Sequence, residues 1–189
     1  MRRIAMALAI LLAIFGASEV AAGAWIHAKG YVAQRLIALA WKHPGGGDSP
    51  RRPWPGADLR PVARLVIPAR HVELFVMDDA SRRSLAFGPG LVAGTPLPPE
   101  LGNTVIVAHR DTHFTFLRHV ASGDEIDLES GDGAKTRYRV RRAEIVDRDD
   151  TQVMEDDGRA QLTLITCYPF DAVRPGTRLR YVVVADRVA

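Results

Sequence analysis

The chain has 189 residues, 47% apolar and 25% charged, a globular balance that allows one ordinary domain plus an anchor or tail. A single cysteine excludes any disulfide within the chain, so the fold must stand on its core alone. The net charge is +3, and its basic residues are almost all arginines that alternate with acids, as in "VRRAEIVDRDD". With no Lys/Arg block and no basic–aromatic interleaving, that pattern reads as a solvated mixed-charge surface and sets nucleic-acid binding aside.

The N-terminus, "MRRIAMALAILLAIFGASEVAAGAWI", opens on Arg2 and Arg3, and Glu19 is the only charge between positions 4 and 26. A cleaved signal peptide needs a basic start, a short apolar run and a small-residue site, which Ala22-Gly23-Ala24 supplies. A membrane anchor needs about 20 mostly apolar residues. Residues 4–26 reach that length with Glu19 near the far interface. The anchor is the preferred reading: residues 1–26 cross an inner, cytoplasmic membrane once, the arginines stay inside and the rest lies on the extracytoplasmic side. Trp25 then sits at the outer interface.

"YVAQRLIALAWK", residues 31–42, has helical spacing with Val32, Leu36, Leu39 and Ala40 on one side. It reads as a short juxtamembrane helix or as one packed on the domain. "HPGGGDSPRRPWPG", residues 43–56, is rich in Pro and Gly without periodicity and reads as a linker. The expected organisation is an anchor (or signal peptide) over 1–26, a helix and linker over 27–60, and a folded domain over 61–189.

The domain is a succession of short β-rich runs: "ARLVIP", "HVELFVM", the weaker "SLAFGPGLV", "NTVIVAH", "DEIDLES", the long "KTRYRVRRAEIVD", "QLTLITC" and "TRLRYVVVADRV". "TPLPPELGN" is a proline-rich loop, and "TFLRHVAS", residues 115–122, holds one or two helical turns. About eight strands at this spacing indicate an all-β barrel or sandwich.

Cys167 follows the buried run "QLTLIT", and Pro169 ends the strand because proline cannot continue a central ladder. Taken alone, a free cysteine is more often a small inert hydrophobe. His109 occupies the equivalent place after "NTVIVA", at the head of the polar loop "HRDTHF". If the two strands are neighbours, the imidazole can activate the thiol and later protonate a leaving amine. His113 and His119 are weaker candidates. His109 and His113 are spaced i, i+4, but in a turn-like context without an HExxH pattern, so no zinc site is expected. Acyl transfer also needs a group to hold the developing oxyanion. Arg178 and Arg180 alternate in "GTRLRYVVV"; Arg180, directly before the apolar "YVVVA", is the better placed at a strand end, and Arg178 is kept as a substrate-binding alternative.

These residues resemble a known family. "TLITC", Thr163 to Cys167, matches the sortase signature TLxTC; "NTVIVAHRDTHF" looks like the sortase histidine segment, and "RYVVVA" like the strand carrying the family's arginine. The three come in the family's order, over roughly residues 62–186. The resemblance implies a closed sortase-type β-barrel with Cys167 as nucleophile, His109 as acid/base, Arg180 on the oxyanion or substrate, and Thr166 shaping the substrate site beside the thiol. It implies transpeptidation at an LPxTG-like C-terminal sorting signal, through a thioacyl enzyme, onto an amine acceptor at the cell envelope. The short "HRDTHF" and "CYPFD" context looks most like sortases of the Gram-negative, proteobacterial type. Ala108 stands where many relatives have glycine. No cofactor is expected; some sortases bind calcium through loop acids, and "DDTQVMEDDG", residues 149–158, is the stretch that would offer it, although a solvated acidic loop is the better reading. Two other functions stay open on these residues: a cysteine hydrolase with water as acceptor, and a non-catalytic anchored β domain that binds a partner.

Overall fold

The computed structural model describes residues 2–42 and 52–188, so the stretch 43–51 of the expected linker lies outside the described residues. One helix, α1 (Arg2–Lys42), precedes eight strands: β1 (Pro61–Ile67), β2 (Val72–Met77), β3 (Gly90–Leu91), β4 (Asn103–Val107), β5 (Glu125–Ser130), β6 (Lys135–Asp147), β7 (Gln161–Tyr168) and β8 (Leu179–Arg187). They close into a barrel in the order β1-β2-β3-β4-β7-β8-β6-β5. The β2–β3 and β4–β7 pairs are parallel and the others antiparallel, so the expected closed barrel is present as a mixed sheet.

The strands follow the period-2 rule. In β1 every second side chain is buried, and β6 alternates in the same way over its first half. β4 and β7 are buried on nearly every residue, as strands covered on both faces must be. Ile106, Ala108, Leu162, Leu164, Val183 and Ala185 face the main core inside the barrel, with Leu65, Phe114, Ile126 and Tyr138. Val105, Ile165, Val182 and Val184 face the other way, into a second cluster outside it, roofed by Val92, Val153 and Met154. The weak candidate "SLAFGPGLV" is mostly a 3₁₀ turn, Ser84–Ala86, with only Gly90 and Leu91 in the sheet. The helical signal at 115–122 is a 3₁₀ turn over Thr115–His119.

The 31–42 segment is the continuation of α1 rather than a separate helix. Its buried stripe is Ala33, Ile37 and Ala40, with Ile37 fully enclosed. Ile37 packs with Leu59, Phe75 and Met77, and the Trp41 and Phe75 rings stand 5.9 Å apart. Val32, Leu36 and Leu39, the other members of the apolar surface, stay exposed. This helix carries apolar residues on more than one face, so the shape of the barrel surface selects which face docks. A Cβ at Gly88 would stand 2.8 Å from the Phe75 carbonyl oxygen and 3.0 Å from Gln34 Nε2; glycine there is what lets α1 approach. Gln34 donates to the Phe87 carbonyl across that contact. Within the stretch Ile10–Lys42 of α1, an 18-residue window has a mean hydropathy of 1.5, long and apolar enough to cross a membrane by length and composition.

Candidate active site

Three strands build the site, with β7 in the middle. The β4–β7 pairing is parallel and runs in register from Asn103–Gln161 to Val107–Ile165. His109 lies two residues past Val107 and Cys167 two past Ile165, so the register carried forward sets them side by side at one rim. On the other flank, the antiparallel β7–β8 ladder pairs Cys167 directly with Arg180. Neighbouring strands are about 4.8 Å apart. His109, Cys167 and Arg180 therefore occupy adjacent strand positions, with the cysteine between the imidazole and the guanidinium. All three belong to the outer face of the barrel, the face of Val105, Ile165 and Val182.

Together they line a cavity of about 180 Å³ with Leu85, Val107, Ala108, Ile165 and Thr166. Its floor is apolar, and its polar groups converge from three strands. The thiol is free and half-buried, and His109 is exposed. Arg180 donates from Nη1 to the carbonyls of Thr177 (2.7 Å) and Leu179 (2.9 Å). Both bonds leave from one nitrogen, and Nη2 and Nε remain as donors for a substrate oxygen. Thr166 belongs to the inner face, and its hydroxyl donates to the Ala108 carbonyl at 2.8 Å. That bond joins the residue before the cysteine to the residue before the histidine, where the β4 ladder ends. Arg178 does not line the cavity: it stands on the surface in an ion pair with Asp147 at 2.6 Å. Its hydrogen bond holds the Asp147 carboxyl below the usual range.

His113 and His119 part company. His119 is exposed at the end of its turn. His113 folds back beside His109, and burial, then the charge of the His109 ring, hold it down at about 4 against an ordinary 6.5. Among the described residues, no three His, Cys, Asp or Glu side chains are grouped so as to hold a metal ion.

Two contributors escaped the sequence reading. Leu85 reaches the cavity from the Ser84–Ala86 turn, far from any motif. Arg110, directly after His109, is only 4% exposed. Its Nη2 donates to the carbonyls of Ala172 (2.7 Å) and Arg174 (3.1 Å), and its Nη1 to the Thr177 hydroxyl (3.2 Å). It thus laces the histidine loop to the β7–β8 loop, and Thr177 in turn accepts from Arg180. Nothing in one sequence separates such an arginine from a solvated one; its position beside the histidine was the only signal.

Three outcomes follow from this geometry. Thr166→Val, which removes the hydroxyl and leaves the Ala108 carbonyl unpaired, lowers stability by about 1–3 kcal/mol in denaturant titration. Arg110→Gln shortens the reach to the β7–β8 loop, and hydrogen exchange of the amides in 170–178 accelerates relative to those of β7. For His113, the folded state binds its proton only near pH 4 and the unfolded chain near 6.5. Stability therefore falls as pH drops from 6.5 toward 4, by on the order of 3 kcal/mol for a full shift of this size, and is flat above that window for this group. Thermal melts across that range should show the slope, and His113→Gln should reduce it.

The sortase domain family matches residues 65–188. Sortase D of Bacillus subtilis is 33% identical over 125 residues, covering 66% of this chain and 62% of that protein. The chain spans about three fifths of the length of the curated relatives it matches. Among solved structures, sortase C-1 from Actinomyces oris superposes with a TM-score of 0.61 at 27% identity, covering 84% of this chain and 99% of that one. Sortase A from Corynebacterium diphtheriae gives 0.64 at 24% identity, over 88% and 85%. The family match takes in β4, β7 and β8 and every residue of the cavity, so the chain belongs to the sortase family.

Proposed function

We propose that this chain is a membrane-anchored cysteine transpeptidase that cuts an LPxTG-like sorting signal and passes the substrate protein to an amine. The observation that carries the reading is the register: Cys167 opposite Arg180 on one side and beside His109 on the other. The Cys167 sulfur attacks the Thr carbonyl carbon of the signal, forming the S–C bond and moving the carbonyl π electrons onto oxygen. Arg180 donates to that oxyanion from the nitrogens it does not spend on Thr177 and Leu179. Collapse breaks the C–N bond, and protonated His109 gives its proton to the departing amine. The acceptor amine then loses a proton to His109, attacks the thioester and expels the thiolate, which restores the starting pair. Thr166 and Arg110 hold the strand ends and the β7–β8 loop and touch no reacting atom.

The apolar half of α1 supplies the single-pass anchor, with Arg2 and Arg3 inside and the barrel on the extracytoplasmic side of the cytoplasmic membrane. The substrate is then a protein with a C-terminal sorting signal, and the acceptor an amine of the envelope.

The full chain in detergent, given an LPxTG-type peptide with and without an added amine, tests this. Ligated product that grows with amine is expected. Cys167→Ala abolishes it, Arg180→Ala lowers kcat/KM by about a hundredfold or more, and Arg178→Ala changes it little. Cleavage indifferent to amine would make the enzyme a hydrolase. Retained turnover in Cys167→Ala, or loss confined to Arg178→Ala, would overturn the assignment.

A further inference from the structure

α1 does not end at the membrane surface. It runs unbroken from Arg2 to Lys42, and its last third is bolted to the barrel by Ala33, Ile37 and Ala40. A helix rises 1.5 Å per residue, so Ala33 stands about 12 Å above Trp25. The polar layer of a leaflet is about 7 Å deep. A barrel docked at Ala33 thus comes down to within a few ångströms of the headgroups if Trp25 marks the interface.

The underside of the barrel is built for that contact. A groove of about 420 Å³ runs along α1 from Trp25 to Leu36, and its other wall is Trp54 and Phe87. Those two rings pack edge to face at 5.4 Å. Trp25 is exposed, and Lys29 sits over its ring at 5.1 Å. Arg82 and Arg83, five and four residues before Phe87, are exposed, and Arg83 pairs with Asp58 on the segment that follows Trp54. Two tryptophans and a phenylalanine with cationic side chains around them are the composition of a bilayer interface, where amphipathic rings sit at headgroup level and long cations reach outward. On the same side of α1, further toward its start, Leu11, Ile14 and Phe15 are exposed.

We infer that the barrel sits on the bilayer its own helix spans, with Trp54 and Phe87 lodged in the interface beside Trp25. The inference rests on the anchor reading of α1. The seat orients the active site as well. Phe87 follows the turn that brings Leu85 into the catalytic cavity, and Gln34 of α1 is bonded to the Phe87 carbonyl. A second groove, of about 380 Å³, lies between Gly30, Tyr31 and Gln34 of α1 and the Asp111–His113 segment. The histidine loop therefore lies on the helix side of the molecule, toward the bilayer, where a substrate cut just outside its own membrane segment would arrive.

The three tryptophans form a built-in depth gauge: Trp25 at the proposed interface, Trp54 in the proposed seat, and Trp41 on α1, about 24 Å above Trp25. Full-length variants that keep one tryptophan, with the other two changed to Phe, are reconstituted into phosphatidylcholine vesicles containing lipid with a nitroxide on its headgroup. Circular dichroism checks each fold. Trp25 and Trp54 emission should each fall about twofold and Trp41 emission should not. Quenching of Trp25 alone would overturn the seat and leave the anchor intact. Quenching of none would remove the anchor reading and the seat with it. Equal quenching of all three would mean a helix lying flat on the surface, which also overturns the proposal.

Discussion

The site depends on one pairing: β4 beside β7, parallel and in register. Parallel neighbours end at the same rim, so whatever each carries past its last ladder residue emerges together. Were the pair antiparallel, His109 and Cys167 would leave from opposite ends of a five-residue strand, about 17 Å apart. The parallel arrangement requires a long crossover, and the chain spends residues 108–160, including β5 and β6, on making it. A slip of one residue in β4 would turn His109 into the barrel, because side chains alternate faces. The Thr166–Ala108 hydrogen bond lies where such a slip would begin, and both walls of β4 and β7 are packed against it.

That two-sided packing explains why the cavity beside Cys167 lies outside the barrel. The interior is filled by the fully buried Ile106, Leu162, Leu164 and Val183 and their neighbours. On the outer face the apolar layer is thinner, and Val107 and Ile165 form a floor that Leu85 only partly covers. The floor presents apolar side chains, with the thiol, imidazole and guanidinium at one end. On the inner side of the same strand ends, Tyr168 and Tyr181 stack at 6.2 Å and Phe170 meets Tyr181 edge to face at 5.2 Å. Those rings back the Cys167–Arg180 pair with a rigid wall.

Much of this was legible before the structure. Alternating runs and short continuous apolar runs together gave seven of the strands: period-2 burial leaves its mark on composition in β1, β5 and the first half of β6, as in "ARLVI" and "KTRYRV", and two-sided burial does so in β4 and β7. The strand-end positions of Cys167 and His109 were legible for the same reason: an apolar run stopping at a reactive side chain is a local pattern. Neither the neighbour relation of β4 and β7 nor its direction is local, and no residue type encodes it. The choice of face was hidden too, since strands apolar on both sides have no marked side. Arg110 was read with the solvated arginines because a buried guanidinium held by carbonyls looks, in sequence, like any other. The expected stripe of Val32, Leu36, Leu39 and Ala40 on α1 meets the barrel only at Ala40; the buried residues are Ala33, Ile37 and Ala40. On an all-round apolar helix the periodic signal is weak, and the small side chain of Ala33 gives the closer approach to the barrel.

α1 and the candidate site are joined by packing as well as by the chain. Ile37 is enclosed by Leu59, Phe75 and Met77, and Phe75 and Met77 belong to β2, a wall of the barrel itself. The next segment, Ser84–Phe87, is bonded to α1 through Gln34 and lines the cavity through Leu85. A tilt of the helix relative to the barrel would have to break this apolar contact, strip a carbonyl of its donor, and move one wall of the cavity beside Cys167. The direction of α1 relative to the barrel is therefore coupled to the shape of that cavity.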